Sequence, residues 1–297
     1  MPFPFELPFM QRALVAGLVV GVFAPMIGAF LVQRRMSLVG DGIGHVAFAG
    51  VAVGLLFGVW PIWTALGAAV LGALLLEWLR ARGRAAGDLA LALIFYSGIA
   101  AGVVLVGLAG SLSANIFSYL FGAILTVDGG ELVAIVALGL GVLAVITAFR
   151  SALFAVASDE EWARAAGYPV GLLNATLAVI TAVAIVAAMR VVGILLIAAL
   201  MVLPVASAQL VARSFRGALG WAVGIGVVSV VAGLSAARIF GLAPGATIVL
   251  VAALIFGVLA VVRRGSAARV ATTGGWPPSG PASLAARPAE EEQGSRS

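Results

Sequence analysis

The chain has 297 residues, 63% of them hydrophobic and only 10% charged, with a formal net charge of +5 and a mean hydropathy of +1.20. Soluble domains carry nearer a quarter charged residues, so this composition excludes a water-soluble globular protein. Cysteine is absent, which excludes disulfides and thiolate metal sites. The isoelectric point near 10.9 is carried by arginine alone and reads as a membrane-orientation signal rather than as nucleic-acid binding.

The predicted fold class is all-α, a polytopic transmembrane helical bundle. In chain order, the leader MPFPFELPFM is rich in Phe and Pro and suits the outer interface. The first apolar run, Ala13 to Val32, is too long for a signal peptide and ends in arginines rather than a small-residue cleavage site. Spans of about 20 apolar residues are expected near 13–33, 37–59, 62–79, 88–108, 131–149, 170–188, 191–212, 217–236 and 244–262. With the N-terminus outside, Arg34, Arg35, Arg80, Arg82, Arg84, Arg150, Arg164, Arg213, Arg216, Arg263 and Arg264 share the inner side, and only Arg12, Arg190 and Arg238 face out. The apolar segment 111–127 is short and broken by polar residues; a crossing there would invert every later arginine. It is therefore expected to be re-entrant or interfacial on the outer face. Residues 1–264 form the transmembrane domain, and the Gly/Pro/Ser/Ala-rich stretch 265–297 reads as a disordered cytoplasmic tail.

Between the fifth and sixth spans lies SDEEWARAAGYP, residues 158–169. Ser158 is expected to cap a short inner-side helix, with Glu161 completing a capping box and Gly167 and Pro169 ending it. The helix displays Asp159, Glu160 and Arg164 beside Trp162 and Tyr168. It is either a linker on the membrane surface or a docking helix for a cytoplasmic partner; three consecutive acids fit poorly against anionic lipid.

The stretch VGDGIGHVAFAG places Asp41 one helical turn before His45, the chain's single histidine. A carboxylate at the bilayer centre costs about 2.5–3.5 kcal/mol on insertion scales. Glycines at 40, 42, 44 and 50 strip the segment of bulk and invite close helix packing. Such a pair serves as ligands for a divalent metal such as Mn, Fe or Zn, as a structural hydrogen bond, or as a proton relay. Spacing alone leaves the three open.

Plainer roles suit the other polar groups. Asp88 is expected to cap the fourth span, and Asp128 and Glu131 the fifth; Glu77 pairs with Arg80 across one turn. Asn115, Ser118 and Tyr119 are candidates for the outer mouth of a path, and Pro204 for a path-lining kink. Arg190 pairs with Asp128 or meets a delivering protein.

The blocks RRMSLVGDGIGHVAFAGVAVG (34–54), DEEWARAAGYPV (159–170), RVVGILLIAALMVLPVASAQLVARS (190–214) and GLAPGATIVLVAALIF (241–256) carry a family likeness. In these the chain resembles the integral membrane permease of manganese/zinc/iron ABC transporters, over about residues 10 to 263. The resemblance implies a homodimer with the path between two copies, a cytoplasmic ABC ATPase, and an extracytoplasmic metal-binding protein that delivers the ion. It implies that Asp41 and His45 are intramembrane metal ligands, and that Asp159, Glu160, Glu161, Trp162, Arg164 and Gly167 belong to the ATPase-coupling helix. It implies a cell inner (plasma) membrane location, N-terminus outside and C-terminus cytoplasmic, with Mn, Zn or Fe as cargo and no permanent cofactor.

The physics is compatible: two ligands per copy make a site modest enough to release its ion. The chain has no GxxxxGK[ST] loop, so ATP hydrolysis belongs to another subunit. The alternative is a proton-coupled secondary transporter using Asp41 and His45 as the relay, which leaves the short helix without a task. An intramembrane enzyme is poorly served by one histidine and no cysteine.

Overall fold

The computed structural model describes residues 4–82, 87–108 and 114–273, and among these it holds helices and turns without a strand. The helices are α1 (Pro8–Gln33), α2 (Val39–Phe57), α3 (Pro61–Ala81), α4 (Gly87–Leu108), α5 (Ala114–Phe121), α6 (Gly129–Ser158), α7 (Glu160–Ala165), α8 (Val170–Ala188), α9 (Ile194–Val211), α10 (Phe215–Phe240) and α11 (Pro244–Thr273). Among the described residues nine of them, all but α5 and α7, are long and apolar enough to cross a membrane. They coincide with the nine expected spans. One departure is α6, which continues past the expected end at 149 to Ser158, because RSALFAVAS contains no residue that breaks a helix. At 30 residues it is about 45 Å long and exceeds the hydrocarbon thickness.

Among the described residues, those up to Ala260 form one compact unit and those from Val261 to Thr273 belong to a second. The second contains the end of α11, which runs on to Thr273, beyond the residue 264 at which the sequence places the domain boundary. The rest of the expected tail lies outside the described residues.

Within the first unit α1, α2 and α8 are the most buried spans. α2 packs on α3 and α4, α1 on α6, α9 and α10, and α8 on α3 and α6. Lipid offers apolar side chains no less than protein does, so close backbone approach between small residues drives this packing. Gly28 of α1 lies against the Met201 carbonyl of α9 with no room for a Cβ.

Two ends of the bundle can be told apart. One is arginine-rich and gathers the end of α1, the start of α2, the end of α3, α7 and the start of α8. Phe215 at the start of α10 joins it by packing on Phe30 and Phe154. At the opposite end α5 and its following turn lie on the α8–α9 connection. Gly122 and Gly193 take φ of 79° and 94°, left-handed values that favour glycine, and each faces the other's backbone. The Ala123 N–H donates to the Arg190 carbonyl at 3.0 Å. With eight residues, α5 spans about 12 Å and is too short to cross.

Three local expectations change. Ser158 ends α6, and Asp159, extended at φ −154° and ψ 105°, caps α7 in its place by accepting from the Trp162 N–H at 2.9 Å. A single residue separates the two helices, and the cap falls to the one whose backbone has left the helical region. Asp88 is inside the first turn of α4 rather than before it, since the helix already includes Gly87. Arg190 pairs with Glu131 and not Asp128, whose carboxylate is occupied as the N-cap of α6.

Candidate functional site: the Asp41–His45 cavity

Asp41 and His45 are the third and seventh residues of α2, so their side chains stack on one face, one turn apart. Both are half-buried and open into a cavity of about 390 Å³ lined also by Leu38, Asp88, Leu91, Phe95 and Tyr96. The pair stands in the first two turns of α2, beside the arginine-rich end, where an intramembrane charge costs less than at the bilayer centre. Among the described residues no hydrogen bond or ion pair occupies either side chain. Asp41 offers carboxylate oxygens and His45 an imidazole nitrogen, a mixed set that suits Mn, Fe or Zn.

The glycines around the pair set its position. A Cβ on Gly40 would meet Ala198 of α9 at 3.2 Å, and one on Gly44 would meet Ile194 at 3.4 Å. A Cβ on Gly42 would lie 2.7 Å from Leu91 of α4. The backbone of α4 comes closest at Gly98, where an added Cβ would stand 2.9 Å from the Val46 nitrogen and 3.0 Å from the His45 carbonyl carbon. Phe95, one turn earlier on α4, meets the imidazole edge to face, with ring centroids 4.7 Å apart. That contact limits imidazole rotation and gives the site an apolar wall. Phe95, Leu91 and Gly98 are the residues that sequence reasoning missed, and Asp88 it read only as a cap. The first three have no signal in spacing along their own helix, because they matter only once α4 lies on α2. Asp88 had one, an acid at the mouth of a span, which a cap explained equally well.

The proposed docking segment is built as follows. Ala163 is fully buried and anchors α7, while Trp162 is 60% exposed. A Schellman closure ends the helix: Tyr168 N–H donates to Ala163 O at 3.0 Å and Gly167 N–H to Arg164 O at 3.1 Å, with Gly167 at φ 84°. Glu160 turns back onto the bundle, 3.7 Å from Arg34 and 3.3 Å from Arg164, and accepts from Asn174 Nδ2 at 3.4 Å. Burial pushes the Arg34 guanidinium below its ordinary pKa, and Glu77 and Glu160 act against that shift. This leaves Glu161, Trp162, Arg164 and Tyr168 as the exposed face. At the end of α3, Arg80 donates to Glu77 at 3.1 Å, the expected pair.

At the other end, Asp128 and Glu131 form a complete capping box, with the Glu131 N–H donating to Asp128 Oδ1 at 2.7 Å. Arg190 closes on Glu131 at two points, 2.9 Å from Nε to Oε1 and 3.0 Å from Nη2 to Oε2. It also donates to Ser118 Oγ at 2.9 Å and stands over the Tyr119 ring at 4.9 Å. Ser118 and Tyr119 are thus part of a latch between α5, α6 and the α8–α9 connection. The Asn115 side chain lies outside the described residues. Pro204 is buried within α9 and does not border the Asp41–His45 cavity.

Residues 6–263 match the ABC 3 transport family. The manganese import system permease protein ScaB of Streptococcus gordonii is 33% identical over 248 residues, covering 84% of this chain and 89% of its own length. The high-affinity zinc uptake system membrane protein ZnuB of Haemophilus influenzae is 30% identical over 263 residues, 88% of this chain and 98% of its own. Among solved structures, PsaBC from Streptococcus pneumoniae in complex with Fab superposes with a TM-score of 0.77 at 32% identity, covering 86% of this chain and 91% of that one.

Proposed function

The chain belongs to the ABC 3 transport family, and from that premise we propose that it is the membrane-spanning permease subunit of an ATP-driven importer of divalent transition-metal ions. The observation that carries the proposal is the Asp41–His45 pair opening, without a hydrogen-bond or ion-pair partner among the described residues, into one cavity between α2 and α4. Manganese and zinc are the favoured cargoes, being the metals named for the relatives; iron shares the same ligand chemistry.

In this reading the N-terminus is outside and the arginine-rich end is cytoplasmic, as the arginine distribution favours. An extracytoplasmic metal-binding protein delivers the ion to the outer end. Asp41 and His45 hold it transiently, completed by water, backbone carbonyls or the same pair from a homodimer mate. The cavity wall supports a second copy: Leu38 is 64% exposed and Tyr96 69%, an apolar rim beside a charged pair. A cytoplasmic ATPase grips the exposed face of α7, and its hydrolysis cycle rocks the helices that α7 joins, α6 and α8. Asp159 caps that helix and Gly167 stops it, so six residues move as one rigid peg.

The rival reading is proton-coupled transport through the same pair. Proteoliposomes holding the permease with its ATPase and binding protein separate the two. Manganese accumulation should require ATP inside the coupling compartment and survive an uncoupler. Accumulation driven by a proton gradient without the ATPase would overturn the proposal.

A further inference from the structure

Asp88 has surroundings that a helix cap does not need. It is exposed in the first turn of α4 and borders two cavities. One is the cavity of Asp41 and His45. The other, of about 250 Å³, is lined by Arg34, Arg35 and Arg80. Leu38, Asp88 and Leu91 line both, so Asp88 stands between the two.

The charges nearby make that position consequential. A divalent cation that leaves His45 and Asp41 toward the arginine-rich end meets three guanidinium groups, each repelling it. Glu77 is already 3.1 Å from Arg80, and Glu160 is 3.7 Å from Arg34. Asp88 is the acid bordering both cavities, and among the described residues it has no ion-pair partner. It does not belong to the resting site either: among the described residues no three acidic or histidine side chains converge on one metal position. Asp88 thus stands beside the Asp41–His45 pair rather than in one ligand group with it.

We propose that Asp88 is the exit carboxylate of the path, taking the divalent cation from the Asp41–His45 pair and carrying it past the arginine collar. The proposal rests on the transport reading above and adds a step to it. A single carboxylate suits the task, because one oxygen-donor group attracts a divalent ion without retaining it as a multidentate site would. Neutralising it leaves the collar's positive charge facing the ion and slows its departure.

The test uses the full permease–ATPase complex in proteoliposomes, with manganese ion alone as the binding probe and radiolabelled manganese uptake as the second readout. Asp88→Asn should bind manganese within about twofold of the native affinity while uptake falls tenfold or more. Asp88→Glu, which keeps the charge, should recover uptake to within about threefold. Binding reports folding, so a rate loss with intact binding is a loss of transport. Unchanged uptake in Asp88→Asn would overturn the proposal. So would a fall in affinity as large as that of Asp41→Asn, which would make Asp88 a ligand of the site itself. Asp41→Asn is run alongside: if it keeps both binding and uptake, the transport site has been misplaced, a failure separate from that of the exit step.

Discussion

Replacing Arg190 by alanine tests whether the latch opposite the arginine-rich end holds the fold. Glu131 is 7% exposed, and its partner's side chain is only 11% exposed, so the substitution leaves a buried carboxylate without its cation. Removing one member of a buried pair costs about 3–5 kcal/mol, and the low end applies at the edge of a bundle where water is near. The contact of Arg190 with the Tyr119 ring adds about 0.5–1 kcal/mol, and the hydrogen bond to Ser118 about 1 kcal/mol. These terms share one side chain and do not add fully, so about 4 kcal/mol is expected in total. For a chain of this size that corresponds to a fall in melting temperature of roughly 8–15 °C. The assay is thermal unfolding of the purified protein in nanodiscs, followed by circular dichroism. The variant Arg190→Met with Glu131→Gln removes both charges and keeps a residue able to close the capping box, and it should regain about half of the loss. An Arg190→Ala protein that melts within 2 °C of native would refute this reasoning, as would a double variant no better than the single one.

Two further outcomes follow from the packing. Gly98→Ala puts a Cβ into the α2 backbone at His45 and should destabilise by about 1–3 kcal/mol. Gly107→Ala on the same helix meets nothing within 4 Å and should be neutral or stabilising by about 0.5–1 kcal/mol; comparing their melting temperatures checks both. Asp159→Ala removes the cap of α7 for about 1 kcal/mol and should weaken ATPase binding in a pull-down titration, while Asp159→Ser preserves it. Equal affinity for the alanine variant would dissociate the cap from docking.

Much of this fold is legible in the sequence because bilayer thickness turns apolar length directly into spans. The fourth span, expected near 88–108, is observed as α4 from Gly87 to Leu108. Local chemistry is legible wherever both partners lie within one turn, as with Asp128 and Glu131 or Glu77 and Arg80. The cap of α7 was missed by one residue, since Ser158 and Asp159 are both good caps and only the backbone chooses between them. The pairing of Arg190 was missed for a different reason. Asp128 and Glu131 are each 60 or so residues away in sequence, and only the commitment of Asp128 to its own helix leaves Glu131 free. For the candidate site, Asp41 and His45 stand out in one dimension because they are polar within an apolar segment. Phe95 and Gly98 do not, because an aromatic and a glycine are ordinary in a membrane helix until α4 is laid on α2.

The most direct measurement is uptake of radiolabelled manganese and zinc into cells carrying the whole transport system, comparing the native permease with Asp41→Asn and His45→Ala at equal membrane abundance. The account expects both variants to lose uptake of the same metal while ATPase assembly on α7 is retained, which would place the ion on this pair during transit. Undiminished uptake of both metals in both variants would contradict it and leave Asp41 and His45 as structural residues.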